Sequence, residues 1–396
     1  MKPEILVGLA LVSMAVLFSG CVTAHRPVMT VVPAAGHDIR IHMLDTQNGW
    51  ALTEGPDRFR VLHTTIGARI WQDVTPRPFP YEAWAGEFPR PSTAWISLHT
   101  NSWTGLLMTT NGGSSWAPVK TPFGYFTEPA NVHFYHDGLG IARLVDNGAG
   151  SGYYTFYETQ DGGMTWKQMD VTPPGPNRDA SPGTFRLSNF CGDNVGYYPP
   201  GRFVIAFGDS GDEKPKGYAR LSLSADGGKS WRDRQLPLPD EWRDGQTWAE
   251  LPVFFGARDG LLPVHIFKLD DNSRTNLALL FYRTGDGGDT WTLRPSAVAA
   301  GDKCDVISLN DIVVRSGDNL CHTRDGAKTW RTIKPNIDLG REGSERDVTQ
   351  MDFADVKHGW MIIADNHIFS RYGNSLLYET SDGGKTWMEL PLKISR

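Results

Sequence analysis

The chain has 396 residues and a formal net charge of −6. That charge is mild for the length and argues against nucleic acid as the main partner. Four cysteines are too few for a disulfide scaffold, and no Cys/His spacing indicates zinc, so we expect no metal and no cofactor. A bridge between Cys304 and Cys321 is left open, although we expect a third strand to lie between them.

Residues 1–20 have the composition of a targeting segment. Lys2 precedes an apolar run from Ile5 to Phe18, which is short for a membrane span and is followed by Ser19-Gly20-Cys21. Small residues before a cysteine resemble the bacterial lipobox. That resemblance implies lipidation of Cys21 and an extracytoplasmic, lipid-anchored location at the cell envelope. An ordinary signal peptide cut near Ala24, or an uncleaved anchor, is the alternative.

Residues 21–38 are expected to form a tether between the lipid and the folded domain. The tether contains a short β-type run between Pro27 and Pro33, which has the composition of an edge strand.

One eight-residue motif, Thr/Ser-x-Asp-Gly-Gly-x-Thr/Ser-Trp, organises the rest of the chain. Five copies keep Asp, Gly and Trp together, one has Asn111 in place of Asp, and one retains only the Gly and Trp frame. The seven copies end at Trp71, Trp116, Trp166, Trp231, Trp291, Trp330 and Trp387. Recurrence of a short motif along a whole chain is typical of a repeat architecture.

The residue types of the motif predict a tight turn between two strands. The carboxylate accepts backbone hydrogen bonds, the glycines supply positive φ, and the Trp offers a flat face to bury against a neighbouring unit. Each Asp is needed by its own turn, so we expect a structural role rather than catalysis or metal binding for Asp161, Asp226, Asp286, Asp325 and Asp382.

The pattern resembles the Asp-box of the BNR-type β-propellers. Sialidases, sortilin-type receptors, some xyloglucan hydrolases and the photosystem II assembly-factor family share this motif. The resemblance implies the fold but no single function, since these families do unrelated things on one scaffold. The assembly-factor family is the nearest in layout, with a lipoprotein-like start, one disc and Gly-Trp second strands such as Gly49-Trp50 and Gly359-Trp360.

Each repeat contains four strand-like runs with short turns and no helical periodicity. We therefore predict an all-β fold, a single seven-bladed β-propeller of four-stranded antiparallel blades over residues 39–396. The predicted first strands are Ile41–Leu44, Ala94–Leu98, Val132–Tyr135, Phe185–Phe190, Leu251–Phe255, Val306–Leu309 and Met351–Phe353. Glycines open the predicted second strands, as in Gly138–Leu144, Gly196–Tyr198 and Gly260–Leu262.

In such a blade the Asp-boxes join the third and fourth strands, and the long insertions emerge on the opposite face of the disc. We call these the repeat-turn face and the long-loop face. The insertions are Thr75–Pro91, Thr121–Asn131, Asp146–Tyr153, Val171–Thr184, Gly208–Gly217, Gln235–Glu250, Leu269–Thr275 and Asp365–Ser375. Variable loops on a rigid scaffold usually carry binding. The predicted partner-binding residues are Trp84, Phe88, Tyr153, Arg178, Arg186, Trp242 and Trp248.

Other candidate sites are weaker. Gly208–Asp212 superficially matches a serine-nucleophile stretch but lacks its His and Asp context, and the acidic clusters at 209–213 and 270–272 lack the ligand spacing of an EF-type loop. We therefore expect a monomeric, non-enzymatic scaffold that binds a protein or peptide. The alternative is a carbohydrate-active hydrolase or glycan-binding protein, sialidase-like or otherwise, which would place two carboxylates with perturbed pKa in a central pocket.

Overall fold

A computed structural model gives the fold of the protein. It describes residues 29–31, 38–54, 59–77, 82–100, 103–123, 131–135, 138–146, 153–172, 184–186, 194–198, 201–209, 217–270, 273–340, 346–365 and 374–395. Cys21, Arg178 and Cys191 lie outside these ranges, as does the targeting segment. Within the described residues, no helix has the length and apolar character needed to cross a bilayer.

The fold is all-β and consists of seven antiparallel blades, numbered here in chain order. Blade 1 contains β2 (Asp38–Met43), β3 (Gly49–Glu54), β4 (Phe59–Thr64) and β5 (Trp71–Asp73), preceded in the chain by β1 (Met29–Val31). Blade 2 contains β6 (Glu82–Glu87), β7 (Ala94–Thr100), β8 (Trp103–Thr109) and β9 (Ala117–Val119). Blade 3 contains β10 (Asn131–Phe134), β11 (Gly140–Asp146), β12 (Tyr153–Thr159) and β13 (Lys167–Gln168), with β14 (Thr184–Arg186) beside β12.

Blade 4 contains β15 (Asn194–Tyr198), β16 (Arg202–Ala206), β17 (Tyr218–Ser224) and β18 (Arg232–Pro237). A 3-10 turn at Asp240–Trp242 leads to blade 5, which contains β19 (Gln246–Ala249), β20 (Val253–Phe255), β21 (Asp259–Asp270), β22 (Ser273–Thr284), β23 (Thr292–Leu293) and β24 (Val298–Ala299). Blade 6 contains β25 (Gly301–Val306), β26 (Ile312–Ser316), β27 (Asn319–Thr323) and β28 (Arg331–Ile333). Blade 7 contains β29 (Arg346–Phe353), β30 (Gly359–Asp365), β31 (Asn374–Thr380) and β32 (Met388–Leu390), followed by β33 (Lys393–Ser395).

The hydrophobic core lies between blades rather than at one centre. Seven clusters of buried side chains each join two neighbouring blades, so the ring has one apolar interface at every junction. The interface between blades 7 and 1 includes Trp360, Ile41 and Trp71, all at most 4% exposed. Burial of large rings stabilises each junction by several kcal/mol, about 25 cal/mol per Å² of apolar surface.

Both ends of the chain complete the sheet of blade 1. Strand β33 pairs in parallel with β5, and β1 pairs antiparallel with β33. The edge strand predicted between Pro27 and Pro33 is therefore confirmed, and it lies within the segment that we expected to be a tether. Since the two ends of the chain share a sheet with the first repeat, backbone hydrogen bonds as well as apolar contacts close the ring.

The predicted first strands were wrong in three blades. Ala94–Leu98 belongs to the second strand of blade 2, because the insertion Thr75–Pro91 itself contains the first strand. In blade 4 the first strand is Asn194–Tyr198, so the predicted second strand Gly196–Tyr198 belongs to the first, and Phe185 lies in β14 beside blade 3. In blade 6 the first strand ends at Val306, where our predicted strand begins. Apolar runs mark both inner strands of a blade, so the pattern alone does not show which comes first.

The repeat turns have the hydrogen bonding that their residues predict. In blade 3, Thr159 Oγ1 accepts from Gly163 N at 2.9 Å and donates to Asp161 at 2.8 Å, while Asp161 also accepts from Thr165 N and Oγ1 at 2.9 and 2.6 Å. The hydroxyl of Thr165, and then its backbone N–H, hold the pKa of Asp161 below its usual value. These carboxylates are ionised structural acceptors.

The glycine at the start of a second strand leaves room for an aromatic ring on the first strand. Gly359 pairs with Phe353 and Gly140 with Phe134, and a Cβ on either glycine would lie 2.4 and 2.6 Å from the facing ring. The ring covers the glycine and packs against the repeat turn of its own blade, as when Phe353 meets Trp387 edge-on at 6.0 Å.

Candidate functional site

The first strands line the axis of the disc, and their side chains bind across blade junctions at the repeat-turn end. Glu87 accepts a hydrogen bond from the backbone N–H of Phe134 at 3.2 Å, and its carboxylate lies 2.9 Å from His133 Nδ1. Tyr135 donates to the carbonyl of Tyr197 in blade 4. Side chains of one first strand thus bind backbone groups of the first strand in the next blade. Those backbone groups lie at the inner edge of each sheet, where no further strand of the described chain pairs with them.

Two carboxylates of this ring are strongly perturbed. Asp305 accepts from Phe353 N at 2.6 Å, and Asp352 accepts from Met43 N at 2.8 Å. Burial raises the pKa of Asp305 to about 7, with a further contribution from the charge of Asp352, and burial raises the pKa of Asp352 to about 6. In each case the backbone hydrogen bond opposes the rise, so desolvation is the larger effect.

A buried ion cluster joins blades 6 and 7 toward the long-loop end. The Arg315 side chain is 1% exposed; it donates to Asp302 through two nitrogens and to Asp347 at 2.6 Å. A third acceptor is the carbonyl of Leu339 at 3.4 Å. The buried guanidinium thus donates hydrogen bonds to acceptors on two first strands and one loop, which fixes the two blades relative to each other.

Blade 5 has the longest pair of inner strands among the described residues. Its β21 and β22 have 12 residues each, against 5 to 7 in the other second strands. The extra five or so residues extend the hairpin by about 17 Å, all of it on the long-loop side. Near its tip, Arg274 lies over the rings of Phe267 and Trp248, with its Cζ 4.3 and 5.6 Å from their centroids, and Leu269 is 44% exposed.

A polar group lies at the foot of this hairpin. His265 Nε2 is 2.6 Å from Glu250 Oε1, and Cys304 of blade 6 places its Sγ 3.8 Å from Glu250 Oε2. Burial and the charge of Glu250 raise the pKa of the Cys304 thiol well above its usual value. A thiol that donates to a carboxylate and has no base on its sulfur is a poor nucleophile, so the arrangement supports a structural role.

The two cysteines of blade 6 are free thiols. Cys304 and Cys321 both pair with Val314, on opposite sides of β26. The expectation that a strand separates them is therefore confirmed, and the alternative of a bridge is excluded by that placement.

The residues predicted to bind a partner are placed differently from one another. Trp248 is half-buried on the first strand of blade 5, rather than on a loop, and stacks on His265 at 5.0 Å. Trp242 is half-buried in the 3-10 turn and packs on the core between blades 4 and 5. Phe88 is 6% exposed and stacks on Trp50 at 5.3 Å, so its predicted position on an open loop was wrong.

Of the four remaining predicted residues, three are placed by their backbone and one lies outside the described ranges. Trp84 lies within β6, and Tyr153 and Arg186 are direct partners across the β12–β14 pair. The pairing brings Tyr153 and Arg186 together on the outer part of blade 3, on the side of the long loops. Arg178 lies outside the described residues.

The weaker sequence candidates resolve into structural roles where they are described. The carboxylate of Asp209 accepts from Thr247 N at 2.8 Å and from its hydroxyl at 2.9 Å, which ties blade 4 to the first strand of blade 5. Over the described ranges, no three His, Cys, Asp or Glu side chains form a group able to hold a metal ion.

Sequence reasoning missed the raised hairpin and the polar group at its foot. A signal was present, since residues 261–269 and 277–282 form two apolar-rich runs that are joined by a short polar segment. The length of these runs predicts the length of the hairpin. The contacts among Glu250, His265 and Cys304 could not be predicted in this way, because they join segments that are remote in sequence.

Comparison with the known protein families gave no match, and comparison with curated proteins gave none either. Among solved structures, the chain is similar to YCF48 bound to D1 peptide, at 16% identity and a TM-score of 0.50, covering 90% of this chain and 96% of that one. YCF48 from Cyanidioschyzon merolae has 16% identity and a TM-score of 0.47, covering 84% of this chain and 94% of that one.

A polysaccharide lyase of family PL25, an ulvan lyase bound to -[GlcA(1-4)Rha3S]-, has 9% identity and a TM-score of 0.50. That match covers 91% of this chain and 97% of the lyase. At these identities a likeness shows the fold alone. The chain shares the propeller fold of proteins that differ in what they bind.

Proposed function

We propose that the protein is a non-enzymatic scaffold of the cell envelope that binds a protein or peptide partner on its long-loop face. The observation that carries this proposal is the raised hairpin of blade 5. It presents an exposed Leu269, a stacked Arg274 and a half-buried Trp248 beside the channel mouth. Aromatic and arginine side chains with an exposed aliphatic tip are the residues that dominate protein–protein contacts.

Two further facts support a binding role. At the repeat-turn end of the channel, the carboxylates of Asp305 and Asp352 accept hydrogen bonds from backbone N–H groups of the next blade, which is a structural role. A propeller of the same fold, YCF48, is known bound to a peptide. The lipid on Cys21 belongs to the proposal as the element that holds the disc near the bilayer.

Site-directed photo-crosslinking tests the proposed surface in cells. A photoreactive phenylalanine analogue replaces Leu269 on the hairpin, and the matched control replaces Met164, which is 60% exposed on the repeat-turn face. We expect one discrete crosslinked protein from position 269 that is absent at position 164 and is lost when Trp248→Ala and Arg274→Ala are added. Equal crosslinking from both positions would refute the hairpin as the binding surface. In the same cells, Cys21→Ser should release the protein from the membrane fraction.

A carbohydrate-active enzyme is the second candidate, because Asp305 and Asp352 have raised pKa values on neighbouring first strands. A carboxylic acid with a pKa near 7 is suited to general acid catalysis on a glycosidic bond. Incubation with a panel of fluorogenic glycosides and with uronic-acid oligosaccharides tests this. Cleavage that is abolished by Asp305→Asn would establish the enzyme and overturn the scaffold.

A further inference from the structure

A cleft of about 610 Å³ lies between blades 6 and 7 at their repeat turns. Its rim carries four exposed cations, two from blade 6 and two from blade 7, and His322 lies among them. The four are Arg324, Arg331, Lys357 and Lys385. We call this the blade 6–7 cleft. Its volume is in the range of pockets that hold small ligands or several residues of a peptide.

The cations of the cleft have no carboxylate to pair with. None of the four has an ion-pair partner among the residues that the structure describes. The only acidic residue of the lining is Asp382, and its oxygens accept from Thr380 Oγ1 at 3.0 Å and from Thr386 Oγ1 at 2.6 Å. The four cations therefore outnumber the single carboxylate of the lining, and the cleft carries a net positive charge.

The repeat provides an internal comparison at two other junctions. Between blades 7 and 1, Arg69 of the repeat turn lies 3.9 Å from Glu379, which holds the position of His322 in its own blade. Between blades 4 and 5, Arg232 holds the position of Arg331 and lies 3.8 Å from Asp289 of the next repeat turn. In both places the chain supplies a carboxylate to the groove.

At the blade 6–7 junction both of those carboxylate positions hold bases. His322 stands where blade 7 has Glu379, and Lys385 stands where blade 5 has Asp289. The same groove therefore contains the same kind of cation without its internal partner. A carboxylate from outside the chain would restore the pairing that the other two junctions have.

His322 adds a buried polar atom that lacks a partner. Its Nε2 is inaccessible to solvent and makes no hydrogen bond within the described structure, although its ring packs edge-on against Phe353 at 5.9 Å. Burial, with Arg324 and Arg331 nearby, lowers the pKa of His322 to about 4, so the ring is neutral at physiological pH. A neutral ring at this position adds no carboxylate to pair with Arg324 or Arg331.

We propose that the blade 6–7 cleft binds carboxylate side chains of an acidic segment of a partner polypeptide. The groups missing from the cleft are Asp and Glu carboxylates, and a peptide side chain supplies the same group at the same reach. A sugar ligand is disfavoured because the one aromatic ring of the lining, Trp330, is packed on Phe281 at 5.5 Å and donates its N–H to Ser296 O. Sugar rings need a free aromatic face.

This site lies on the face opposite to the raised hairpin and does not rest on the proposed function. Loss of crosslinking at Leu269 would leave the cleft untouched, and failure of the cleft would leave the hairpin proposal standing. If both hold, the disc binds polypeptide on its two faces at once.

Titration calorimetry of the full-length chain with the peptide acetyl-(Glu)4-amide, at low salt, tests the cleft. Arg324→Gln with Arg331→Gln should weaken binding about tenfold, since two exposed ion pairs are removed. The matched control is Arg232→Gln with Arg234→Gln, which removes the same charge from the blade 4–5 junction, where Asp289 is the internal partner. The control should bind within about twofold of the parent chain.

A second variant restores an internal carboxylate without removing a cation. His322→Glu copies the arrangement of Glu379 and should abolish binding, whereas Met388→Glu adds the same charge at an exposed position of blade 7 and should have little effect. Equal loss in both double variants would show non-specific attraction and overturn the proposal. Unchanged binding in Arg324→Gln with Arg331→Gln, or tighter binding of polygalacturonate than of the peptide, would also overturn it.

Discussion

Replacement of Asp305 by Asn is expected to stabilise the protein at neutral and alkaline pH. The pKa of Asp305 is about 7 in the folded chain and near 3.8 when unfolded, so the folded state binds the proton more tightly. The associated stability is fully present below pH 3.8 and is lost as pH rises to about 7. Each pKa unit corresponds to about 1.4 kcal/mol, which gives a loss of roughly 4 kcal/mol between those limits.

Asn retains an oxygen for the backbone N–H of Phe353, which bonds to Asp305 at 2.6 Å, and does not ionise. Urea unfolding followed by tryptophan fluorescence, at several pH values from 4 to 8, measures the difference between Asp305→Asn and the parent chain. The difference should be near zero at pH 4 and grow to several kcal/mol in favour of the variant by pH 8. Asp305→Ala, which also removes the acceptor, should gain less. A difference that does not change with pH would refute the buried, proton-binding state of this carboxylate.

Three other substitutions test the scaffold by the same unfolding assay. Arg315→Met removes the cation that two buried carboxylates share and should cost about 3–5 kcal/mol, whereas the exposed Arg40→Met should change stability by less than about 1 kcal/mol. Gly359→Ala should cost about 1–3 kcal/mol because its Cβ would meet the Phe353 ring at 2.4 Å, and adding Phe353→Leu should recover part of the loss. Asp382→Ala removes the acceptor of its turn and should cost about 1–3 kcal/mol, with no gain at any pH above 4.

The sequence predicted the fold because the repeat turn is a local structure with its own hydrogen bonds. Asp161 and Thr159 are two residues apart and set the turn without help from the rest of the chain. Seven such turns, each followed by a tryptophan, determine the number of blades. The order of strands within a blade was predicted less well. Ala94–Leu98 lies in a second strand and Asn194–Tyr198 in a first strand, and the residue pattern does not distinguish the two positions.

The candidate sites were harder to predict because they depend on contacts between blades. Phe88 looked like a loop aromatic, yet it fills the space beside Trp50, which is remote in sequence. The unpaired charge of Arg324 and Arg331 is visible only after Glu379 and Asp289 are seen to pair at the equivalent junctions. The sequence assigns each residue to a position in the repeat, but the contacts between neighbouring blades are seen only in the folded ring.

A repeated scaffold makes departures from the repeat informative. Six of the seven blades place an Asp or Asn in the repeat turn, and in blades 3 and 7 a buried phenylalanine of the first strand covers the glycine of the second. Where one blade differs at a position that stabilises its neighbours, some other requirement must have set the residue. The long β21–β22 hairpin leaves Leu269 exposed near its tip. At the blade 6–7 junction, His322 and Lys385 replace the ion pair that Glu379 forms with Arg69 at the blade 7–1 junction. The exposed hairpin tip and the unpaired cations do not contribute to closing the ring, which agrees with the proposal that both serve binding outside the chain.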